Sequence, residues 1–206
     1  MIAPSLLASD FSNVQATLQQ LSDQGVTWLH LDVMDGVFVD TITFGPQFIQ
    51  QLRPHTKMFL DTHLMITNPE KHIKAFAEAG SDLITFHVEA TENPKACIDL
   101  IHQYGKQAGI SVKPNTPVSA ITPYLKDVEL VLIMSVEPGK GGQAFLPSAL
   151  EKVASLQGGD YQLQVDGGIN QETAKACISA GATNLVVGTY LFQDLNRFKE
   201  LSSLER

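Results

Sequence analysis

MFLDTHLMITNPEKHIKAFAEAGSDLITFH, residues 58–87, is the stretch whose reading decides the fold. Residues 58–64 and 83–87 are short apolar runs of strand type, and residues 69–79 between them carry helical periodicity. Pro69 stands at a first helical position and Gly80 just past the helix end, where each residue type belongs. The rest of the chain repeats this strand–helix unit. Further strands are predicted at 2–6, 28–33, 109–112, 130–134, 162–165 and 184–187. Further helices are predicted at 14–24, 46–52, 94–104, 118–124, 147–156, 171–180 and 191–203. Pro94, Gly25 and Gly181 supply the same start and stop signals, and residues 78–82, 106–110 and 179–183 share an alanine–glycine punctuation.

Strict alternation implies parallel strands joined by right-handed crossovers, and eight units in 206 residues fit a closed (β/α)8 TIM barrel of the α/β class. An open doubly wound sheet is the alternative. The expectation is one catalytic domain over residues 1–206. Composition agrees with a soluble globular chain, 44% hydrophobic and 17% charged. Fourteen basic against 22 acidic residues give a net charge of −8, which offers no general attraction to nucleic acid or to an anionic membrane. A phosphorylated ligand would therefore need a local pocket. Cys97 and Cys177 fall in predicted outer helices without metal-ligand spacing, as reduced packing residues of a cytoplasmic protein would. Ile2-Ala3-Pro4-Ser5 does not resemble a signal peptide, and no apolar run approaches membrane-spanning length.

In such a barrel the chemistry lies at the C-terminal ends of the strands. The run His30-Leu31-Asp32-Val33-Met34-Asp35-Gly36 puts His30, Asp32 and Met34 on one face of a strand. Asp35 faces the other way and reads as a structural or loop residue. Other polar groups gather at the same ends: Ser5, Asp61, His63, His87, Glu89, Lys113, Ser135 and Asp166. A lone strand histidine is more often a hydrogen-bonded core residue than a ligand. Convergence changes that balance, since His30, Asp32, His63 and Asp166 arrive from three strands. Two imidazoles and two carboxylates suit one divalent metal, zinc first, with iron, manganese or cobalt also compatible. Asp32 and Asp166 are also placed as an acid/base pair, one for each face of a reacting carbon.

Glycines form a second constellation. Glu137-Pro138-Gly139-Lys140-Gly141-Gly142-Gln143, Asp166-Gly167-Gly168-Ile169 and Gly188-Thr189 follow the sixth, seventh and eighth strands, where this fold cradles phosphate with backbone N–H groups. Met34, Met65 and Met134 lie at or just beyond strand ends. They can pack the core or line the substrate and exclude water from it.

At these residues the sequence resembles the ribulose-phosphate 3-epimerases. The resemblance is carried by residues 3–11, the run 30–36, Asp61-Thr62-His63-Leu64-Met65, His87-Val88-Glu89, residues 134–139 with Gly141-Gly142-Gln143, and Val165-Asp166-Gly167-Gly168-Ile169, in family order from end to end. It implies a barrel that interconverts D-ribulose 5-phosphate and D-xylulose 5-phosphate in the pentose phosphate pathway, commonly as a homo-oligomer. It places metal ligands on His30, Asp32, His63 and Asp166, and the acid/base aspartates on Asp32 and Asp166. Ser5 matches the family's substrate-contacting serine, and His63 counts among the substrate contacts as well as the ligands. Gly139, Gly141, Gly142, Gly167, Gly168, Gly188 and Thr189 fall where the family holds phosphate. The implied route takes a proton from carbon 3, passes through a cis-enediolate, and returns a proton to the opposite face.

Three departures stand out. Lys140 occupies a position usually held by phenylalanine in the covering loop. Val37-Phe38-Val39-Asp40-Thr41 replaces the usual His-Phe-Val-Pro-Asn, and residues 156–160 make a short connection. A 3-epimerase of a hexulose phosphate such as allulose 6-phosphate, and a non-catalytic sugar-phosphate-binding barrel, are the alternative readings.

Overall fold

The structure, a computed structural model, describes residues 1–205. Its strands are β1 (Ile2–Pro4), β2 (Trp28–Met34), β3 (Phe59–Met65), β4 (Leu83–His87), β5 (Gln107–Val112), β6 (Leu130–Met134), β7 (Gln162–Asp166) and β8 (Asn184–Val187). All neighbours pair in parallel, in the order β1-β8-β7-β6-β5-β4-β3-β2. A parallel bridge between Ser5 and His30 ties β1 to β2 across the remaining seam. The result is a single (β/α)8 barrel.

Alternation along the strands divides the interior into two cores. Leu29, Leu31 and Val33 of β2, Leu60 and Leu64 of β3, and Ile84 and Phe86 of β4 point outward into the main cluster under the helices. Leu83, Leu130, Leu132 and Met134 point inward, with Trp28 and Phe59 packed against them. These two rings stack with centroids 4.3 Å apart. Burying each large aliphatic side chain contributes roughly 1.5–3 kcal/mol relative to leaving it exposed. Toward the C-terminal mouth the inward residues turn polar, and that change positions the site.

The helices are α1 (Val14–Asp23), α2 (Pro46–Leu52), α3 (Ile73–Ala79), α4 (Pro94–Gln103), α5 (Ala149–Ser155), α6 (Gln171–Ala180), α7 (Thr189–Gln193) and α8 (Arg197–Ser202). Strands β4, β6 and β8 and helices α2 and α6 keep their predicted limits, while β1 is shorter and β2, β3, β5 and β7 are shifted or longer by one or two residues. Three helical predictions need larger correction. Residues 118–124 form two 3-10 turns, Val118–Ala120 and Thr122–Tyr124, because Pro123 lacks the N–H that would continue an α-helix. Residues 69–79 begin as a 3-10 turn, where Lys71 and His72 donate to carbonyls three residues back, before α3 starts at Ile73. Residues 191–203 divide into α7 and α8 at Asp194. That residue is extended, at φ −158° and ψ 107°, and its side chain accepts from the Asn196 N–H at 3.0 Å.

Candidate active site

The parallel register of β2 against β3 sets His30 beside Asp61, Asp32 beside His63 and Met34 beside Met65. On the far side, Asp166 ends β7, paired with Met134 of β6 and Val186 of β8. His30, Asp32, His63 and Asp166 are thereby brought together at the mouth. Each offers one ligand atom, and all of these lie within 4.8 Å of one another. His30 Nε2 is 3.3 Å from Asp32 Oδ1 and 4.0 Å from Asp166 Oδ2. His63 Nδ1 is 3.2 Å and 3.9 Å from the same two oxygens. His30 Nε2 is buried and has no hydrogen-bond partner. An orphaned imidazole nitrogen aimed at two carboxylates is what a divalent cation would satisfy, so these residues fit one.

The electrostatics separate the four groups. For His30, burial acts against protonation, but the charges of Asp61 and Asp32 outweigh it and hold the imidazole well above its ordinary value. For Asp32, burial acts against ionisation, yet the charge of His30 and the close approach of His63 hold it far below the carboxylate range. Ser5 Oγ also donates to Asp32 Oδ2 at 2.5 Å. Burial lowers His63, against the pull of Asp32. Asp166 goes the other way, pushed up to about 7 by burial and then by repulsion from Asp32. Its side chain keeps 17% of its surface open toward the cleft, against 6% for Asp32. Neighbouring carboxylates with proton affinities driven apart have the chemistry of an acid/base pair.

Asp61 and His87 received no role from sequence alone. Asp61 Oδ2 accepts from His30 Nδ1 at 2.8 Å and from Gln164 Nε2 at 2.7 Å. His87 Nε2 lies 2.9 Å from His63 Nε2, and His87 Nδ1 lies 3.3 Å from Glu89 Oε2. The two-residue spacing of Asp61 and His63 was a signal that both face inward, but the register that sets Asp61 beside His30 was not legible. Asp35 behaves as a loop latch. Its carboxylate accepts from the N–H groups of Val37, Phe38 and Thr67 and from Thr67 Oγ1.

Above the cluster opens a cleft of about 480 Å³ lined by Ser5, Asp32, Asp166 and the three methionines. Met34 and Met65 form an apolar wall with Val39, Leu7 and Phe38. Gly139, Lys140, Gly141 and Gly142, then Gly167 and Gly168, then Gly188 and Thr189 line the other side. Two of these glycines have evident reasons. Gly167 has φ +118°, and a Cβ there would lie 2.5 Å from Val136 Cγ2; Gly168 has φ +63°, and a Cβ there would lie 2.6 Å from the Phe145 backbone nitrogen. Gly168 thus lets the loop after β7 lie against the backbone of the loop after β6, while Gly167 lies against the Val136 side chain. Gln143 Nε2 donates to the carbonyls of Glu137 and Lys140 and so folds the covering loop.

Fold and site together define a (β/α)8-barrel enzyme with its polar residues converging at the C-terminal mouth. The match to the ribulose-phosphate 3-epimerase family model extends over residues 1–192, and the chain belongs to that family. A relative from Oryza sativa subsp. japonica, "Ribulose-phosphate 3-epimerase, cytoplasmic isoform", is 42% identical over 100% of this chain and 92% of its own. One from Bacillus subtilis, "Ribulose-phosphate 3-epimerase", is 40% identical over 98% and 97%. Among solved structures, KGPDC from Streptococcus mutans superposes with a TM-score of 0.71 at 14% identity, covering 99% of this chain and 94% of that one. A chain of the tryptophan synthase complex from Pyrococcus furiosus gives 0.66 at 16%, covering 99% and 94%. At these identities the structural likenesses speak for the barrel alone. Among the described residues no helix is long and apolar enough to cross a membrane.

Proposed function

We propose that this chain is a metal-dependent ribulose-phosphate 3-epimerase, inverting carbon 3 of D-ribulose 5-phosphate to give D-xylulose 5-phosphate. The observation that carries the reading is the pairing of Asp32 with Asp166 inside one cleft, on strands separated only by β1 and β8, with proton affinities pushed in opposite directions. The names of the relatives support the substrate.

One aspartate removes the carbon-3 proton, the substrate passes through a cis-enediolate, and the other aspartate protonates the opposite face. Ser5 holds Asp32 Oδ2 and fixes which oxygen faces the substrate. Met34, Met65 and Met134 keep bulk water off the reacting carbon, so that protonation of the enediolate is left to the positioned aspartate. Gly139, Gly141, Gly142, Gly167, Gly168, Gly188 and Thr189 receive the phosphate through backbone N–H groups. His30, Asp32, His63 and Asp166 would hold a divalent metal, zinc first and iron, manganese or cobalt as alternatives, and when bound it supplies stabilisation of the negative charge that builds on the substrate oxygens.

This reading places the enzyme in the pentose phosphate pathway of the cytoplasm. The free, buried Cys97 and Cys177 and the cytoplasmic rice relative agree with that location. Its partner is a small sugar phosphate, and a homo-oligomer follows from the family resemblance. The test is incubation of metal-loaded protein with ribulose 5-phosphate in D2O. Deuterium is expected at carbon 3, and no incorporation sinks the enzymatic reading. Turnover of a hexulose phosphate equal to that of the pentulose would overturn the substrate assignment.

A further inference from the structure

Each imidazole of the four-residue cluster has a different partner behind it. His30 donates directly to a buried carboxylate, Asp61. His63 instead meets another imidazole, with its Nε2 2.9 Å from His87 Nε2. His63 and His87 are both wholly buried. Two ring nitrogens at that separation share one proton, and which ring owns it decides what His63 presents at its other nitrogen.

Against the pull of Asp32 Oδ1, which lies 3.2 Å from His63 Nδ1, Glu89 biases the ownership from the other end. Its Oε1 accepts from the Lys113 backbone N–H at 2.7 Å, and its Oε2 lies 3.3 Å from His87 Nδ1. A carboxylate only accepts, so the proton of a neutral His87 belongs on Nδ1 and its Nε2 carries the lone pair. His63 must then donate from Nε2. A neutral His63 in that tautomer leaves Nδ1 bare, facing Asp32 Oδ1 at 3.2 Å and Asp166 Oδ2 at 3.9 Å. A lone pair set against carboxylate oxygens asks for a cation between them.

We propose that His87, held by Glu89, is a positioning residue that fixes His63 in its Nε2–H tautomer and turns the Nδ1 lone pair toward Asp32 and Asp166. The relay spans three strands, because Glu89 follows β4 and is itself pinned by Lys113 just after β5. Phe38 covers the outer side, its ring centroid 4.9 Å from that of His87, and Lys113 Nζ sits 3.8 Å above the Phe38 ring. Water is thus kept from competing for the nitrogen that His63 needs. The consequence for metal binding rests on the metal site proposed above, whereas the tautomer itself does not.

The test begins with metal-free protein labelled with 15N-histidine, in which long-range proton–nitrogen correlation reports the protonated nitrogen of each ring. The expected result is an Nε2–H signature for His63. Zinc affinity, measured by competition with a chromophoric chelator, should then fall about 10–100-fold in His87→Phe, the usual size for loss of such a supporting partner. His87→Gln can accept from His63 through its amide oxygen and donate to Glu89 through its NH2, so it should recover most of that loss. An Nδ1–H tautomer of His63 in the wild type overturns the proposal, as does unchanged zinc affinity in His87→Phe or a Gln variant no better than Phe. Wild-type protein that shows the Nε2–H tautomer yet takes up no divalent ion supports the relay and removes the metal reading.

Discussion

His30 Nδ1 lies 2.8 Å from Asp61 Oδ2, with both side chains wholly buried. Because a carboxylate accepts and does not donate, the Nδ1 proton is committed to Asp61, and Nε2 is the atom that faces the cluster. Gln164, reaching from β7, donates to the same oxygen at 2.7 Å and holds Asp61 from across the barrel. Asp61 therefore supports the site from below without lining the cleft.

Removing that support should be graded. Asp61→Asn keeps an acceptor in place and loses the charge that makes His30 a better donor to a cation, so zinc affinity should drop about tenfold. Asp61→Leu leaves His30 Nδ1 without an acceptor and should approach a hundredfold loss. Calorimetric zinc titration of the two variants checks the order. Equal affinity in Asn, Leu and wild type would remove Asp61 from any part in the site.

Asp166→Asn tests the acid/base pair. The substitution keeps the shape of the side chain and removes its ability to take up and release a proton, so turnover of ribulose 5-phosphate should fall at least about a hundredfold. Metal content is to be measured on the same sample, since Asp166 is also one of the four grouped residues. Near-normal turnover by a metal-loaded variant would end the role of Asp166 in proton transfer.

Much of the barrel was legible because β-branched runs and helical periodicity alternate without interruption, and because the inward parity of β2 follows from the spacing of His30 and Asp32. The convergence of His63 and Asp166 was inferred from the fold rule that strand ends meet at one mouth, not from any local signal. What stayed hidden depends on register. The sequence shows Asp61 two residues before His63, but only the β2–β3 alignment places it beside His30. His87 meets His63 through the offset between β3 and β4, which pairs His63 with Thr85. Helix breaks were hidden for a local reason, since the Asp194 turn depends on a side chain capturing the Asn196 N–H in competition with the helix.

Gly168→Ala probes the loop pair beneath the glycine-lined wall. At φ +63° an added Cβ carries a backbone cost of roughly 1–2 kcal/mol. It also presses on Phe145 at the base of the covering loop. The loop after β6 must shift, and KM for the sugar phosphate should rise on the order of tenfold, the equivalent of about 1.4 kcal/mol, with a smaller change in kcat. Steady-state kinetics separate the two. A variant with unchanged KM would show that this loop pair does not shape phosphate binding.

Glu89 gives the fold an acid sensitivity that can be isolated. Burial acts to raise its pKa, but hydrogen bonds from His87, Thr116 and the Lys113 N–H prevail and bring it from 4.5 down to about 2. Between these values the unfolded chain holds a proton on this group that the folded chain does not, so stability rises with pH across the window. The contribution is fully present above about pH 4.5 and disappears as the pH falls toward about 2. Glu89→Gln cannot titrate. At neutral pH it should be less stable than wild type by on the order of 1–3 kcal/mol, the cost of losing a charged acceptor. Urea unfolding from about pH 5 to about pH 3 should show the two curves converging, because acid removes from the wild type what the substitution has already removed. Curves that stay parallel would mean that the Glu89 charge is not what holds His87 and Lys113 together.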